Sequence, residues 1–164
     1  MRYYDTYDSP QGPMLLVATD DGLCGVYFDG QKYFPDSNEG KRDARHAPLR
    51  QAKLELKEYF AGRRKRFQVA LDPQGTPFQR SIWKAISKVG FGETISYAEL
   101  ARRAGHPGSA RAAGAATGRN PIGIIVPCHR IMGSDGTLTG YAGGLDRKRA
   151  LLALEGIGRD LLTA

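Results

Sequence analysis

The chain has few of the residues that build cross-linked or metal-held proteins: two cysteines, Cys24 and Cys128, and three histidines in 164 residues. Two cysteines are too few for a disulfide framework. Neither they nor the scattered histidines fall at the spacing a zinc or iron site uses, so no metal is expected. No apolar run approaches the roughly 20 residues of a membrane-spanning helix. The opening MRYYDTYDSP has neither the basic nor the apolar region of a signal peptide. The cytoplasm, in association with the nucleoid, is therefore the expected location. Acidic residues are scarce in the second half. Residues 1–75 carry 12 Lys and Arg against 11 Asp and Glu, residues 76–164 carry 12 against 6, and so +6 of the net +7 lies in the second half. A polyanionic partner suits that asymmetry.

What is present reads as two differently built parts, with a hydrophobic content of 41% that suits a compact protein of one domain or two small ones. Residues 2–7, 14–19 and 23–28 are strand-like, Asp20-Asp21-Gly22 is a hairpin turn, and Cys24 falls inside the third strand as core. Residues 31–46 are polar and turn-rich and predict a mobile loop. Pro48 opens a helix with Leu49, Ala52, Leu56 and Tyr59 at helical spacing, Gly62 closes it, and residues 63–66 form a solvated basic end. Phe67, Val69 and Leu71 alternate as a strand. Asp72-Pro73-Gln74-Gly75 then reads as a linker, which predicts an α+β chain with domains at 1–72 and 76–164.

The second part begins with Thr76 as N-cap and Pro77 in the first turn of a helix that buries Phe78, Ile82, Ala85, Ile86 and Val89. Ser96 with Glu99 predicts a capping box that starts a second helix running to Gly105. His106-Pro107-Gly108 is a tight turn, and a third helix spans 109–117 with Gly118 at its end. Two short helices across such a turn are a helix-turn-helix pattern. The third helix surrounds one long side chain, Arg111, with Ala110, Ala112, Ala113, Gly114, Ala115 and Ala116. A helix about 10 Å across enters a minor groove about 6 Å wide only if its side chains are trimmed and the groove opens.

Residues 120–132 read NPIGIIVPCHRIM. Residues 123–126 are apolar, partly β-branched and bounded by prolines, which predicts a buried strand that delivers Cys128 to a rim. His129 and Arg130 can hold positive charge and so favour a thiolate. Neighbours on a strand point to opposite faces, so contact between Cys128 and His129 requires a turn or a bridging water.

Pro127-Cys128-His129-Arg130 resembles the PCHR signature of O6-alkylguanine-DNA alkyltransferases. Ile95-Ser96-Tyr97, Arg111, Gly118-Arg119-Asn120-Pro121, Gly140-Tyr141-Ala142-Gly143-Gly144-Leu145 and the LLALEG run of residues 151–156 resemble that family in the same order. The resemblance spans residues 76–156 and is weak before them. It implies an RNase H-like first domain and a mostly helical, winged-helix-like second domain with the helix-turn-helix. It also implies direct reversal of O6-alkylguanine, with O4-alkylthymine as a further candidate, in double-stranded DNA by a monomer that needs no cofactor. By the same resemblance Cys128 accepts the alkyl group, His129 acts through a water as base, Glu155 orients His129, Tyr97 donates a proton to the purine and Asn120 braces the turn. Arg111 replaces the rotated-out nucleotide, Gln79, His106 and Ser134 touch the DNA backbone, and Tyr141, Ala142 and Gly143 line the pocket. The small residues at 142–144 predict room for a benzyl group, which Thr139 could narrow. A thioether on Cys128 has no carbonyl for water to attack, so one molecule repairs one lesion. A turning-over thiol hydrolase and a DNA-binding module that only marks lesions are the alternatives from other classes.

Overall fold

The computed structural model describes residues 1–35, 40–134, 136, 138 and 140–157. The chain folds into two compact units, Met1–Gln74 with Pro121–Gly123, and Gly75–Asn120 with the chain from Ile124 onward.

In the first unit, β1 (Tyr3–Ser9), β2 (Gly12–Ala18) and β3 (Leu23–Phe28) form an antiparallel meander. β4 (Lys41–Arg42) joins the free edge of β1 in parallel, for a strand order β3-β2-β1-β4. β1 alternates buried Asp5 and Tyr7 with exposed Thr6 and Asp8, the period of a sheet covered on one face. The cover is α1 (Ala47–Phe60), which buries Leu49, Ala52, Leu56 and Tyr59 as their spacing predicts, and whose Lys53 reaches the Asp5 carboxylate at 2.7 Å. The hairpin turn needs its glycine for space, because a β-carbon on Gly22 would stand 2.7 Å from the carbonyl oxygen of Ala70. That same carbonyl accepts the Leu23 N–H at 2.8 Å.

Two expectations fail in this unit. The alternation at 67–71 does not make a strand. Only Leu71 bridges to Leu23, while the Gln68 and Val69 amides donate to Glu55 Oε1 at 2.9 and 3.2 Å, so a buried side-chain carboxylate replaces a strand partner. The segment 31–46, expected to be a loop, contains β4, and Asp43 N–H continues its pairing by donating to Tyr4. Residues 36–39 of that loop lie outside the described residues. The basic run is not wholly solvated either, since Arg64 donates to Glu58 at 3.2 Å and to the Arg66 carbonyl.

The second unit holds α2 (Pro77–Ile86), α3 (Tyr97–Arg103), α4 (Ala110–Gly118) and α5 (Leu145–Leu154), with a short parallel ladder between β5 (Ile95–Ser96) and β6 (Ile131–Met132). Thr76 and Gln79 form a reciprocal capping box at the start of α2. At α3 the expected box is only half made. Ser96 Oγ accepts the Glu99 N–H at 3.1 Å, but the Glu99 carboxylate turns to Arg102 and Arg103 at 2.6–2.9 Å. Ile82, Trp83, Ala85 and Ile86 form the buried face of α2, and Trp83 Nε1 donates to the Ala116 carbonyl at 2.8 Å, fastening α2 to α4. Phe78, expected in that face, is half-buried and meets the His106 ring edge-on instead. α3 and α4, joined through residues 104–109, make the helix-turn-helix. α4 runs through Gly118, one residue beyond expectation, and its cap is Arg119. Among the described residues no helix is long and apolar enough to cross a membrane.

Candidate active site

The segment leading to Cys128 is not the predicted strand. Ile122 makes one bridge to Val26, residues 123–125 turn, and Ile124 adopts φ +67°, a left-handed conformation rare for a β-branched residue. Asn120 Nδ2 donates to the Val126 carbonyl at 2.8 Å, and the Cys128 N–H donates to the same oxygen at 2.7 Å across Pro127. With φ −79° and ψ 65°, Pro127 is the centre of an inverse γ-turn. Cys128, His129 and Arg130 then form one 3-10 turn, so the neighbours need not point to opposite faces as strand residues would.

All three side chains of this turn are buried. His129, with 0% of its surface exposed, lies 2.6 Å through Nε2 from Glu155 Oε2. A carboxylate accepts, so Nε2 carries the proton and the neutral ring presents a lone pair at Nδ1. That nitrogen is buried without a hydrogen-bond partner among the described residues. Burial pushes the imidazole pKa down, against the pull of Glu155, which keeps the ring neutral and able to accept a proton. Glu155 caps α5 and accepts from His129, from the Arg130 guanidinium at 2.8 and 3.0 Å, and from the Gly92 N–H at 3.2 Å. Arg130 also donates to the Val89 carbonyl at 2.6 Å.

Arg130 is therefore turned toward Glu155, and His129 is kept neutral; neither supplies the positive charge expected beside the thiol. Lys148 does. Its side chain is 0% exposed, Nζ donates to the Ile131 carbonyl at 2.7 Å, and burial lowers its pKa to about 8 while the charge of Cys128 pulls the other way. Burial pushes the Cys128 thiol up, and the Asn120 side chain and the Lys148 charge oppose that push. Sequence reasoning missed Lys148. The available signal was helical spacing: Lys148, Leu151, Leu152 and Glu155 fall at i, i+3, i+4 and i+7, a buried stripe with a charge at each end.

The structure thus gathers Cys128, His129, Glu155 and Asn120 with Arg130 and Lys148. Tyr97 directly follows β5 and Cys128–Arg130 directly precedes β6, so the ladder Ile95–Ile131 and Ser96–Met132 ties the start of α3 to the end of the cysteine turn. The Tyr97 ring lies over Gly114 of α4, where a β-carbon would stand 3.7 Å away. Tyr141 and Ala142 are half-buried and Gly143 buried, in a turn closed by Gly144 N–H to Tyr141 O at 2.9 Å. Arg147 donates to the Gly143 carbonyl, while Thr139 lies outside the described residues. The remaining candidates are dispersed. Arg111 is exposed on α4 beside exposed Ala112, Ala115 and Arg119, and Ser134 is exposed in a turn. Gln79 Oε1 is engaged by the Thr76 N–H. Ser81 Oγ already donates to Phe78 O, so His106 Nε2 donates to Ser81 Oγ, at 3.3 Å. No hydrogen bond or ion pair joins Arg111 or Ser134 to the Cys128 cluster among the described residues.

A helix-turn-helix in the same unit as a cysteine backed by a buried histidine–carboxylate pair defines a thiol-nucleophile protein on a DNA-binding scaffold. Residues 77–157 match the family described as 6-O-methylguanine DNA methyltransferase, DNA binding domain, and residues 2–73 match its ribonuclease-like domain. The methylated-DNA–protein-cysteine methyltransferase of Methanosarcina acetivorans is 48% identical over 157 residues, covering 94% of this chain and 98% of its own. The crystal structure of the Mycobacterium tuberculosis O6-methylguanine methyltransferase superposes with a TM-score of 0.85 at 47% identity, covering 94% of this chain and 93% of its own. That of Mycobacterium tuberculosis OGT in complex with DNA gives 0.85 at 43% identity over 99% of each chain. The chain belongs to the 6-O-methylguanine DNA methyltransferase family, and the α+β architecture, with an RNase H-like unit and a helix-turn-helix unit, is that family's fold.

Proposed function

We propose that Cys128 is the acceptor in a single-turnover, direct-reversal transfer of the alkyl group from O6-alkylguanine in duplex DNA. The reaction class is that of the family: alkyl transfer to a cysteine of the protein, in DNA repair. The observation that carries the choice of Cys128 is its place in the Pro127 turn against the neutral, Glu155-bound His129. Cys24, by contrast, lies inside strand β3 of the other unit.

In this reading the Cys128 proton passes to His129 Nδ1 through one intervening water, and the Lys148 charge stabilises the thiolate as it forms. The thiolate attacks the alkyl carbon in line, an S–C bond forms, and the C–O6 bond breaks with its electron pair going to the guanine. Tyr97 donates the proton that makes guanine a neutral leaving group. Thiolate, base and proton donor balance the step without a metal or cofactor. Arg111 occupies the stack from which the nucleotide has rotated, while Gln79, His106 and Ser134 contact the backbone and Tyr141, Ala142 and Gly143 wall the pocket. Residues 76–164 form the DNA-binding and catalytic domain and residues 1–72 the α/β domain of a cytoplasmic, nucleoid-associated protein that is monomeric when free of DNA.

The test is intact-mass analysis and peptide mapping after incubation with excess methylated duplex. One methyl group per chain, on Cys128, is expected, and none with Cys128→Ala. Sustained turnover, or an adduct on Cys24, refutes the reading.

A further inference from the structure

The face of α2 opposite its buried side is a row of cations. Arg80 and Lys84 on α2 and Lys88 in the turn that follows it fall four residues apart, all exposed, with Ser87 beside them. Residues 76–90 contain no Asp or Glu. Elsewhere in this unit exposed cations bring their own partners: Arg102 and Arg103 hold Glu99, and Arg149 holds Asp146. Among the described residues of this unit, Arg80, Lys84, Lys88 and Arg111 are the cations whose side chains make no hydrogen bond, ion pair or ring contact. Three like charges spaced four apart along α2 and its closing turn repel one another, and among the described residues no acidic side chain bonds to them. Arg80 and Ser87 flank Trp83 on the helix surface, at i−3 and i+4, and Trp83 is bonded to the α4 backbone. The row therefore borders the seam with the helix proposed to enter DNA.

We infer that this row is a second phosphate-binding surface, on which Arg80, Lys84 and Lys88 hold the backbone of duplex DNA in addition to the contacts made at α4. The inference rests on the DNA-repair reading above. The three cations span about 12 Å, at about 1.5 Å per residue through α2 and about 2 Å in the tighter turn after it. One DNA strand offers a phosphate about every 3.4 Å of axis, so a stripe of that length has three phosphates within reach. Such contacts carry no sequence information, which suits a protein that must search all sequences for a lesion.

The experiment measures affinity for a short unmodified duplex across a salt series, using the full chain, a variant with Arg80, Lys84 and Lys88 each changed to Gln, and a control with Arg63, Lys65 and Arg66 each changed to Gln. The control loses the same net charge from the other unit. Each phosphate contact contributes about 0.9 to the slope of log affinity against log salt, so the α2 variant should lose about 2.7 while the control keeps the parent slope. Matching thermal unfolding midpoints confirm that both variants fold. A decrement below about 0.9, one contact's worth, overturns the inference. An equal decrement in both variants also overturns it, since bulk charge then explains the effect. A row that an acidic polypeptide occupies in the parent, with the DNA slope unchanged in the variant, is likewise fatal to it. A flat slope in the parent itself removes the DNA reading as well, so the two failures are distinct.

Discussion

Replacing Lys148 by methionine keeps an unbranched side chain one atom shorter and removes its charge. The folded chain holds the Lys148 proton less tightly than the unfolded chain, because burial brings the pKa from 10.5 to about 8. The penalty for the buried ammonium is therefore fully present below about pH 8 and vanishes as the pH rises to 10.5. At about 1.4 kcal/mol per pKa unit it is about 3 kcal/mol. The variant escapes that penalty but leaves the Ile131 carbonyl without its donor, at a cost of about 1–3 kcal/mol. The variant should then be as stable as the parent or slightly more stable at neutral pH, and urea titrations should not show the parent's rise in stability between pH 8 and 10.5. Alkyl transfer should move the other way. Burial already holds the Cys128 thiol up, and the Lys148 charge opposes that push, so its loss should raise the thiol further and slow transfer at neutral pH. The rate should recover in alkaline solution, where both proteins are thiolates. Single-turnover transfer from methylated duplex, followed by intact mass across pH, reads this directly. A parent-like pH profile in Lys148→Met refutes the assignment of the thiolate's counter-charge to Lys148, whatever the stability result.

Glu155→Gln leaves Arg130 buried beside a neutral amide and should cost about 3–5 kcal/mol in urea titrations, as well as slowing transfer; a loss of rate without a loss of stability would mean that Arg130 finds another partner. Arg111→Ala should reduce repair of duplex lesions about tenfold or more, since holding a nucleotide out of the stack costs a few kcal/mol, while reaction with a free base stays close to the parent's. Equal losses on both substrates would take Arg111 out of the flipping role. Free O6-benzylguanine should alkylate Cys128, and Gly143→Trp should suppress this while sparing methyl transfer; mass spectrometry showing no benzyl adduct on the parent would place the pocket wall elsewhere.

Much of the fold could be read from local chemistry. Thr76-Pro77, Ser96 and the apolar spacing of α1 and α2 are signals that act within a few residues, and the helices stand where those signals put them. Failures occurred where a distant group decides the backbone. Phe67, Val69 and Leu71 look like a strand until Glu55 takes the intervening amides. Residues 123–126 are apolar and β-branched enough for a strand, but the bond from Asn120 to Val126 and the bridge from Ile122 to Val26 accompany a turn through Ile124. At the site, Cys128 and His129 stood out by their setting, whereas the roles of Glu155, Tyr97 and Asn120 came from family resemblance. Lys148 stayed hidden because a lysine in an amphipathic helix is read as surface until its neighbours are seen to lie in the core.

The three residues Pro121–Gly123 belong to the first unit although the chain on both sides of them belongs to the second. The polypeptide thus crosses between units three times, and a cut after Gln74 divides the first unit, leaving its residues Pro121–Gly123 on the piece that holds the second. The second piece would carry the Cys128 turn with Ile122 deprived of Val26, and with the Pro121 carbonyl and Gly123 amide deprived of the partners they find in β3. Excising it as a minimal reagent would loosen the approach to the nucleophile while leaving every residue of the reaction in place. Supplying residues 1–74 as a separate chain is the natural remedy, which makes this protein a candidate for a split system whose reactivity reports reassembly.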